Sequence, residues 1–178
     1  MLNYGAAAQV FFDYDTANLV NADLTEEQKA LGTQEIPEAV NSSASVGSGI
    51  KMSADVSLKS KVVLALTCRY KATETSDMKF VVKSVDGTII DEFAPSKILP
   101  IACQGTYDNV GAKQMRQPLV FELYDGETLV SQSVTWSVES YVAATRENAD
   151  SGEDLIKAVN AMLIYGDSAA VYLEATGQ

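Results

Sequence analysis

Between Gly49 and Val138 the apolar residues recur at every second position, and no other feature of the chain restricts its fold so tightly. Val62, Leu64, Leu66, Cys68 and Tyr70 share one parity; Phe80 and Val82 share another, set between Lys79 and Lys83. A period of two puts such residues on one side of a pleated strand. Asp86-Gly87 and Asp125-Gly126 stand between these runs. Asp-Gly in that setting predicts a tight hairpin, with both residues at the positive φ of a type I′ turn. The runs fall at residues 50–58, 61–71, 78–85, 88–93, 97–103, 105–109, 117–124 and 127–138, giving seven or eight short strands. That spacing predicts an antiparallel β-sandwich of the Ig-like kind, with a barrel as the alternative.

Helical patterns stand on either side, so the fold class is α+β and mainly β. A helix is expected over residues 1–12. Thr25-Glu26-Glu27-Gln28 has the form of a capping box opening a short helix, which Gly32 should stop. Residues 33–49, with Pro37 and then NSSASVGSG, read as a linker or exposed loop. Beyond the strands, residues 137–148 and 152–173 predict a helical hairpin, with Ser151 as N-cap and Glu153 and Asp154 favoured in the first turn by the helix dipole. Leu155, Val159, Met162, Gly166, Ala169 and Leu173 should form its buried stripe. The expected divisions are 1–48, a helical segment and linker; 49–138, the sandwich; and 139–178, a helical hairpin packed on the same unit.

One stretch occurs twice. MLNYGAAAQVFF at residues 1–12 and MLIYGDSAAVYL at residues 162–173 agree at six of twelve positions, 161 residues apart. Self-similarity at a fixed spacing marks repeat architecture. The expectation is a unit cut from a larger protein, starting in the last helix of the unit before it. Both copies should bury the same face and meet through Gly5 and Gly166.

Charge and residue usage remove several functions. The net charge is −11, and it is unevenly spread: the two ends of the chain are acidic and the middle is nearly neutral. No segment joins Lys and Arg to aromatics, so nucleic acid and anionic membrane surfaces are poor partners. No apolar run reaches the ~18 residues of a membrane span. There is no histidine, which removes the commonest general base and the commonest zinc ligand. Cys68 and Cys103 lie 35 residues apart without CxxC spacing. Their parity predicts burial for both. A disulfide and two buried free thiols are both open.

YGAAAQVFFDYDTANLVNADL near the start, VGAKQMRQPLVFELYDGETLVSQSVTWSVESYVA and LIKAVNAMLIYGDSAAVYL together resemble a repeated module of large secreted or cell-surface multidomain proteins of anaerobic gut Firmicutes. In those proteins the module tends to stand beside Ig-like, leucine-rich, dockerin or catalytic modules. The resemblance implies an extracellular or cell wall-associated location and neighbouring modules of the same chain as partners. It brings no catalytic residue. An anaerobe's protein has little use for a disulfide, which tilts the cysteines toward free thiols.

Asp13, Asp15 and Asn18 could ligate calcium through closely spaced oxygens, although the pattern lacks the glycine and terminal glutamate of an EF-hand loop. A solvated turn is the plainer reading, and no other cofactor is implied. Tyr70, Tyr107, Tyr124 and Trp136 are candidates for stacking on sugar rings of a polysaccharide or host surface glycan. Trp136 shares parity with Val130, Val134 and Val138 and should lie in the core; Tyr124 has the outward parity. Asp91, Glu92, Glu122, Asp125 and Glu127 lie near strand ends with no spacing that favours a glycosidase pair. Lys113, Gln114 and Arg116 form a mildly basic loop. The favoured reading is a non-catalytic structural or adhesive module of a multidomain extracellular bacterial surface protein. A carbohydrate-binding module of a secreted glycan-degrading system is the alternative, and a hydrolase comes third.

Overall fold

The computed structural model of the protein describes residues 1–31, 36–58 and 62–177. The chain is α+β, with two antiparallel sheets and helices toward both ends of the sequence. It divides into two compact units: Ser42–Val110 with Gln117–Ser137 carries the described strands, and Met1–Asn41 with Gly111–Arg116 and Val138–Gln178 carries the described helices.

In the sheet unit the described residues form ten strands in order: β1 (Ala44–Val46), β2 (Met52–Leu58), β3 (Val62–Cys68), β4 (Met78–Ser84), β5 (Ile89–Phe93), β6 (Lys97–Leu99), β7 (Ala102–Tyr107), β8 (Leu119–Asp125), β9 (Thr128–Leu129) and β10 (Ser133–Trp136). One sheet has the order β1-β10-β8-β4-β5, with β9 paired to β8; the other has the order β2-β3-β7-β6. The alternation in β3 is strict, with Leu64, Leu66 and Cys68 inside. Phe80, Val82, Phe121 and Leu123 supply the matching inner face of the other sheet. The sheets meet through an aromatic chain: Phe80 stacks on Phe93 at 5.4 Å, Phe93 on Tyr107 at 6.1 Å, and Tyr107 meets Phe121 edge-on at 5.6 Å. Gly105 makes room for it, since a Cβ there would lie 2.6 Å from the Phe80 ring.

Three expectations are corrected here. The NSSASVGSG segment is not all linker: β1 lies within it and pairs Ala44 with Thr135. The runs at 97–103 and 105–109 regroup as β6 and β7, because Pro100 and Ile101 turn the chain where an unbroken strand was expected. Both Asp-Gly sites are tight turns, but only the glycines, at φ +90° and +57°, are left-handed. Type I′ needs two such residues. At the first site Asp86 instead accepts the Thr88 amide with its carboxylate (3.0 Å), and the ladder shifts register between Val82 and Lys83.

In the helical unit, α1 (Leu2–Phe11), α2 (Glu26–Ala30), α3 (Val138–Glu147) and α4 (Glu153–Thr176) are joined by a 3-10 turn at Ala112–Gln114. The Thr25–Gln28 capping box is present, with the Gln28 amide on the Thr25 hydroxyl at 3.2 Å and the Thr25 amide on the Gln28 side chain at 3.0 Å. The expected stop at Gly32 lies outside the described residues. Helix α4 starts one residue later than expected and is capped by Gly152, with no side-chain cap from Ser151. Val159, Met162 and Gly166 of the expected stripe are buried, whereas Leu155, Ala169 and Leu173 are only partly covered. The repeated stretches are both helical and meet through their equivalent tyrosines: Tyr4 stacks on Tyr165 at 6.3 Å and 8°. Their glycines do not meet. A Cβ on Gly5 would strike Val20 at 2.8 Å, and one on Gly166 would strike the Met115 sulfur at 2.7 Å and the Ala112 carbonyl oxygen at 3.1 Å. The copies also differ where α1 holds the arm that follows it. Asn3 donates to the Lys29 carbonyl (3.2 Å) and accepts from Asn21 (2.9 Å). Gln9 donates to the Asn18 carbonyl (3.1 Å) and accepts the Val20 amide (2.8 Å). Ile164 and Ala170 stand at the corresponding places in α4.

Candidate functional site

Chemistry-bearing side chains converge most closely on the outward side of the β4–β8–β10 ladder. Val81 pairs with Glu122 and Lys83 with Val120, so Lys83 and Glu122 share a face and sit diagonally. The Lys83 ammonium lies 2.6 Å from Glu122 Oε2 and 3.2 Å from the Tyr124 hydroxyl. Tyr124 donates to the same carboxylate oxygen at 3.0 Å, and the Ser133 hydroxyl donates to Glu122 Oε1 at 2.5 Å. Glu122 is the one buried carboxylate among the described residues. Burial pushes its carboxyl up, but bonds from Lys83, Ser133 and Tyr124 outweigh that and hold it below the usual range. The bond to Glu122 holds the Lys83 ammonium above its ordinary value against burial.

These directions decide what the cluster can do. General acid–base work needs a group poised near the operating pH, and a lysine nucleophile must be neutral part of the time. Here the carboxylate is driven more firmly ionised and the ammonium more firmly protonated. The result is a saturated ion pair with two hydroxyl donors, which ties three neighbouring strands together. Tyr124 showed the outward parity in the sequence. The convergence was hidden because β4 and β8 are neighbours only in the folded sheet.

The aromatic candidates are dispersed. Tyr107 is 4% exposed, within the aromatic chain between the sheets, and Trp136 is 6% exposed, in the core as its parity predicted. Tyr124 is half-buried, with the Lys83 ammonium 5.5 Å from its ring centre. Tyr70 donates to Asp125 at 2.9 Å, and Asp125 also accepts from the Ser76 hydroxyl and the Asp77 amide, which anchors the 70–77 loop. No pair of these four rings forms an exposed coplanar platform among the described residues.

In the Asp13–Asn18 turn, Asn18 directs its amide NH2 onto both Asp15 carboxylate oxygens, at 3.0 and 3.1 Å. Asp15 and Asn18 are thereby engaged with each other in a hydrogen-bonded turn. Asp13 adopts φ 53° as the chain leaves α1. Among the described residues no three His, Cys, Asp or Glu side chains gather as a metal site.

Arg116, the end of the mildly basic loop, is a hub of the helical unit. It grips Asp167 of α4 in a two-pronged pair (2.6 and 2.9 Å), bonds Glu139 of α3, and donates to the Glu38 carbonyl at 2.9 Å. Nearby, Arg146 donates to Asn160 at 2.7 Å and to the Pro37 carbonyl at 2.8 Å. A cavity of about 470 Å3 lies between α1 and α4, with Ala6, Val10 and Ile164 on its walls and Asn3 and Asn160 among its polar groups. On the sheet unit, Lys51, Ser53, Asp55, Thr67 and Arg69 line a polar groove of about 650 Å3 on the outward side of β2 and β3. No helix among the described residues is long and apolar enough to cross a membrane. No protein-family model, no curated protein and no solved structure matches this chain.

Proposed function

We propose that the chain is a non-catalytic structural or adhesive module of a multidomain extracellular bacterial surface protein, with an Ig-like sheet unit. The strand order supports the Ig-like reading. Taking β2, β3, β7 and β6 as A, B, E and D, and β10, β8, β4 and β5 as G, F, C and C′, the order follows that of an Ig sandwich with an added C′ strand, with β1 on the β10 edge and β9 against β8 as further additions. The observation that carries the non-catalytic reading is the closed Lys83–Glu122–Tyr124–Ser133 cluster, whose buried carboxylate serves to join strands. The extracellular location rests on the resemblance to secreted Firmicutes modules. A screen of the folded chain against glycoside, ester and peptide substrates tests the reading. No turnover is expected, and turnover abolished by Glu122→Gln in a variant that still folds would overturn it.

The alternative, a carbohydrate-binding module, has the polar groove on β2 and β3 in its favour, since a trough of hydroxyl, carboxylate and cationic groups suits the hydroxyls of a saccharide. It predicts retarded migration in gels cast with a polysaccharide, and restored migration for Thr67→Ala with Arg69→Ala.

A further inference from the structure

Cys68 closes β3 and Cys103 lies near the start of β7, and the antiparallel register sets them directly opposite each other. Both side chains are fully buried and both carry free thiols. Directly opposed residues of an antiparallel pair point to the same face, with Cα atoms about 4.5 or 5.5 Å apart according to the hydrogen-bonding position. Either separation falls within the roughly 4.4–6.8 Å that a disulfide spans. They form the last pair of the β3–β7 ladder, which runs on from them with Thr67 opposite Gln104 and Leu66 opposite Gly105, and Met52 of β2 pairs with Cys68 while Ile98 of β6 pairs with Cys103, so the backbone already holds the two cysteines in place. Two thiols brought together this way differ from two apolar cysteines buried separately: joining them needs side-chain rotation rather than strand movement.

We propose that Cys68 and Cys103 are a cross-linking site, joined by a disulfide through exchange with a low-molecular-weight disulfide while the chain folds. One protein thiolate attacks a sulfur of the small disulfide, breaking its S–S bond, releasing one small thiolate and leaving a mixed disulfide. The second protein thiolate then attacks the protein sulfur of that mixed disulfide and releases the second small thiolate. The two protein thiols are oxidised, the small disulfide takes two electrons, and the two protons end on the released thiols. The bond ties β3 to β7, the two central strands of the four-stranded sheet. Exchange belongs to the unfolded or partly folded chain. In the folded state burial, and secondarily the neighbouring Cys103, push the Cys68 thiol up to about 11, so almost no thiolate is present to attack.

The test unfolds the full chain in denaturant and refolds it either with oxidised and reduced glutathione or with reductant alone. Intact mass, thiol titration in denaturant and thermal melting follow. The expected product of the first arm is a monomer about 2 Da lighter than the reduced chain, with no titratable thiol and a higher melting temperature. Folded reduced protein placed in the same glutathione mixture should convert far more slowly than the refolding chain. Cys103→Ser, which leaves the opposing position without sulfur, should refold without the 2 Da loss. The proposal is overturned if the refolded monomer keeps both thiols, carries glutathione on either cysteine, or is linked into dimers.

Discussion

Gly5 and Gly166 occupy the same place in the repeated stretch, yet alanine should lower stability at Gly166 and not at Gly5. Both are helical, so alanine gains about 1 kcal/mol of intrinsic helix preference in a helix interior, and less near the start of α1. At Gly166 the new methyl meets the Met115 sulfur at 2.7 Å and the Ala112 carbonyl oxygen at 3.1 Å. Met115 is itself buried, and the carbonyl belongs to the 3-10 turn, so neither retreats freely. Overpacking of that kind costs about 1–3 kcal/mol, which leaves a net loss of about 1 kcal/mol. At Gly5 the close atom is a methyl of Val20 (2.8 Å), a residue 51% exposed that can rotate into solvent. Gly5→Ala should therefore be neutral or slightly stabilising. For a unit of fewer than a hundred residues, 1 kcal/mol corresponds to about 4–8 °C in melting temperature. Thermal unfolding followed by the helical signal at 222 nm reads both variants. Equal shifts at the two sites, or a Gly166→Ala chain as stable as the parent, would refute the assignment of Met115 and Ala112 as the constraint.

Three further outcomes are expected. The Glu122 carboxyl is held below its ordinary value, so its contribution to stability is complete above the unfolded value of about 4.3 and is lost as pH falls through the lower folded value. Melting of the sheet unit between pH 7 and 2 should show a smaller acid-side decline in Glu122→Gln, and an unchanged decline would count against the ion pair. The Asp86 carboxyl, which takes bonds from the Ser84 hydroxyl and then from Thr88, is pulled down to about 2; side-chain NMR titration should find that midpoint, and Ser84→Ala should raise it. Thr25→Ala removes the capping box and costs about 1 kcal/mol locally, seen as about five-fold faster amide exchange over residues 28–30, with no change expected in β8.

Much of the architecture could be read from local pattern because the deciding forces are local. Alternation along 62–68 reports which side of a strand meets a core, and the Thr25–Gln28 spacing reports a cap formed within four residues. What could not be read depends on partners distant in sequence. Residues 44–46 sit within a run of Ser and Gly and are exposed throughout, and what makes them a strand is their pairing with β10. Lys83 and Glu122 are 39 residues apart and meet only when β4 lies beside β8. Tyr107 sits in a polar segment, Gly105-Thr106-Tyr107-Asp108, that gives no sign of burial until Phe93 and Phe121 close over its ring. The repeat was legible as two helices, but the residues carrying their contact were not. Both glycines looked like points of close approach, and each turned out to serve a different neighbour.

The exchange of Asn3 and Gln9 for Ile164 and Ala170 gives the two copies separate duties. The amides of α1 act as clasps: one catches the chain at Asn21 and Lys29, the other at Asn18 and Val20, and together they fold residues 15–29 back along the helix. An isoleucine and an alanine have nothing with which to catch a backbone carbonyl or amide. Helix α4 carries the tyrosine through which the two helices meet and lacks the amides that wrap a loop. A helix of this sequence could lie against a neighbour but could not gather an arm as α1 does, so the duplicated stretch has become a clasp at one end of the chain and a plain strut at the other.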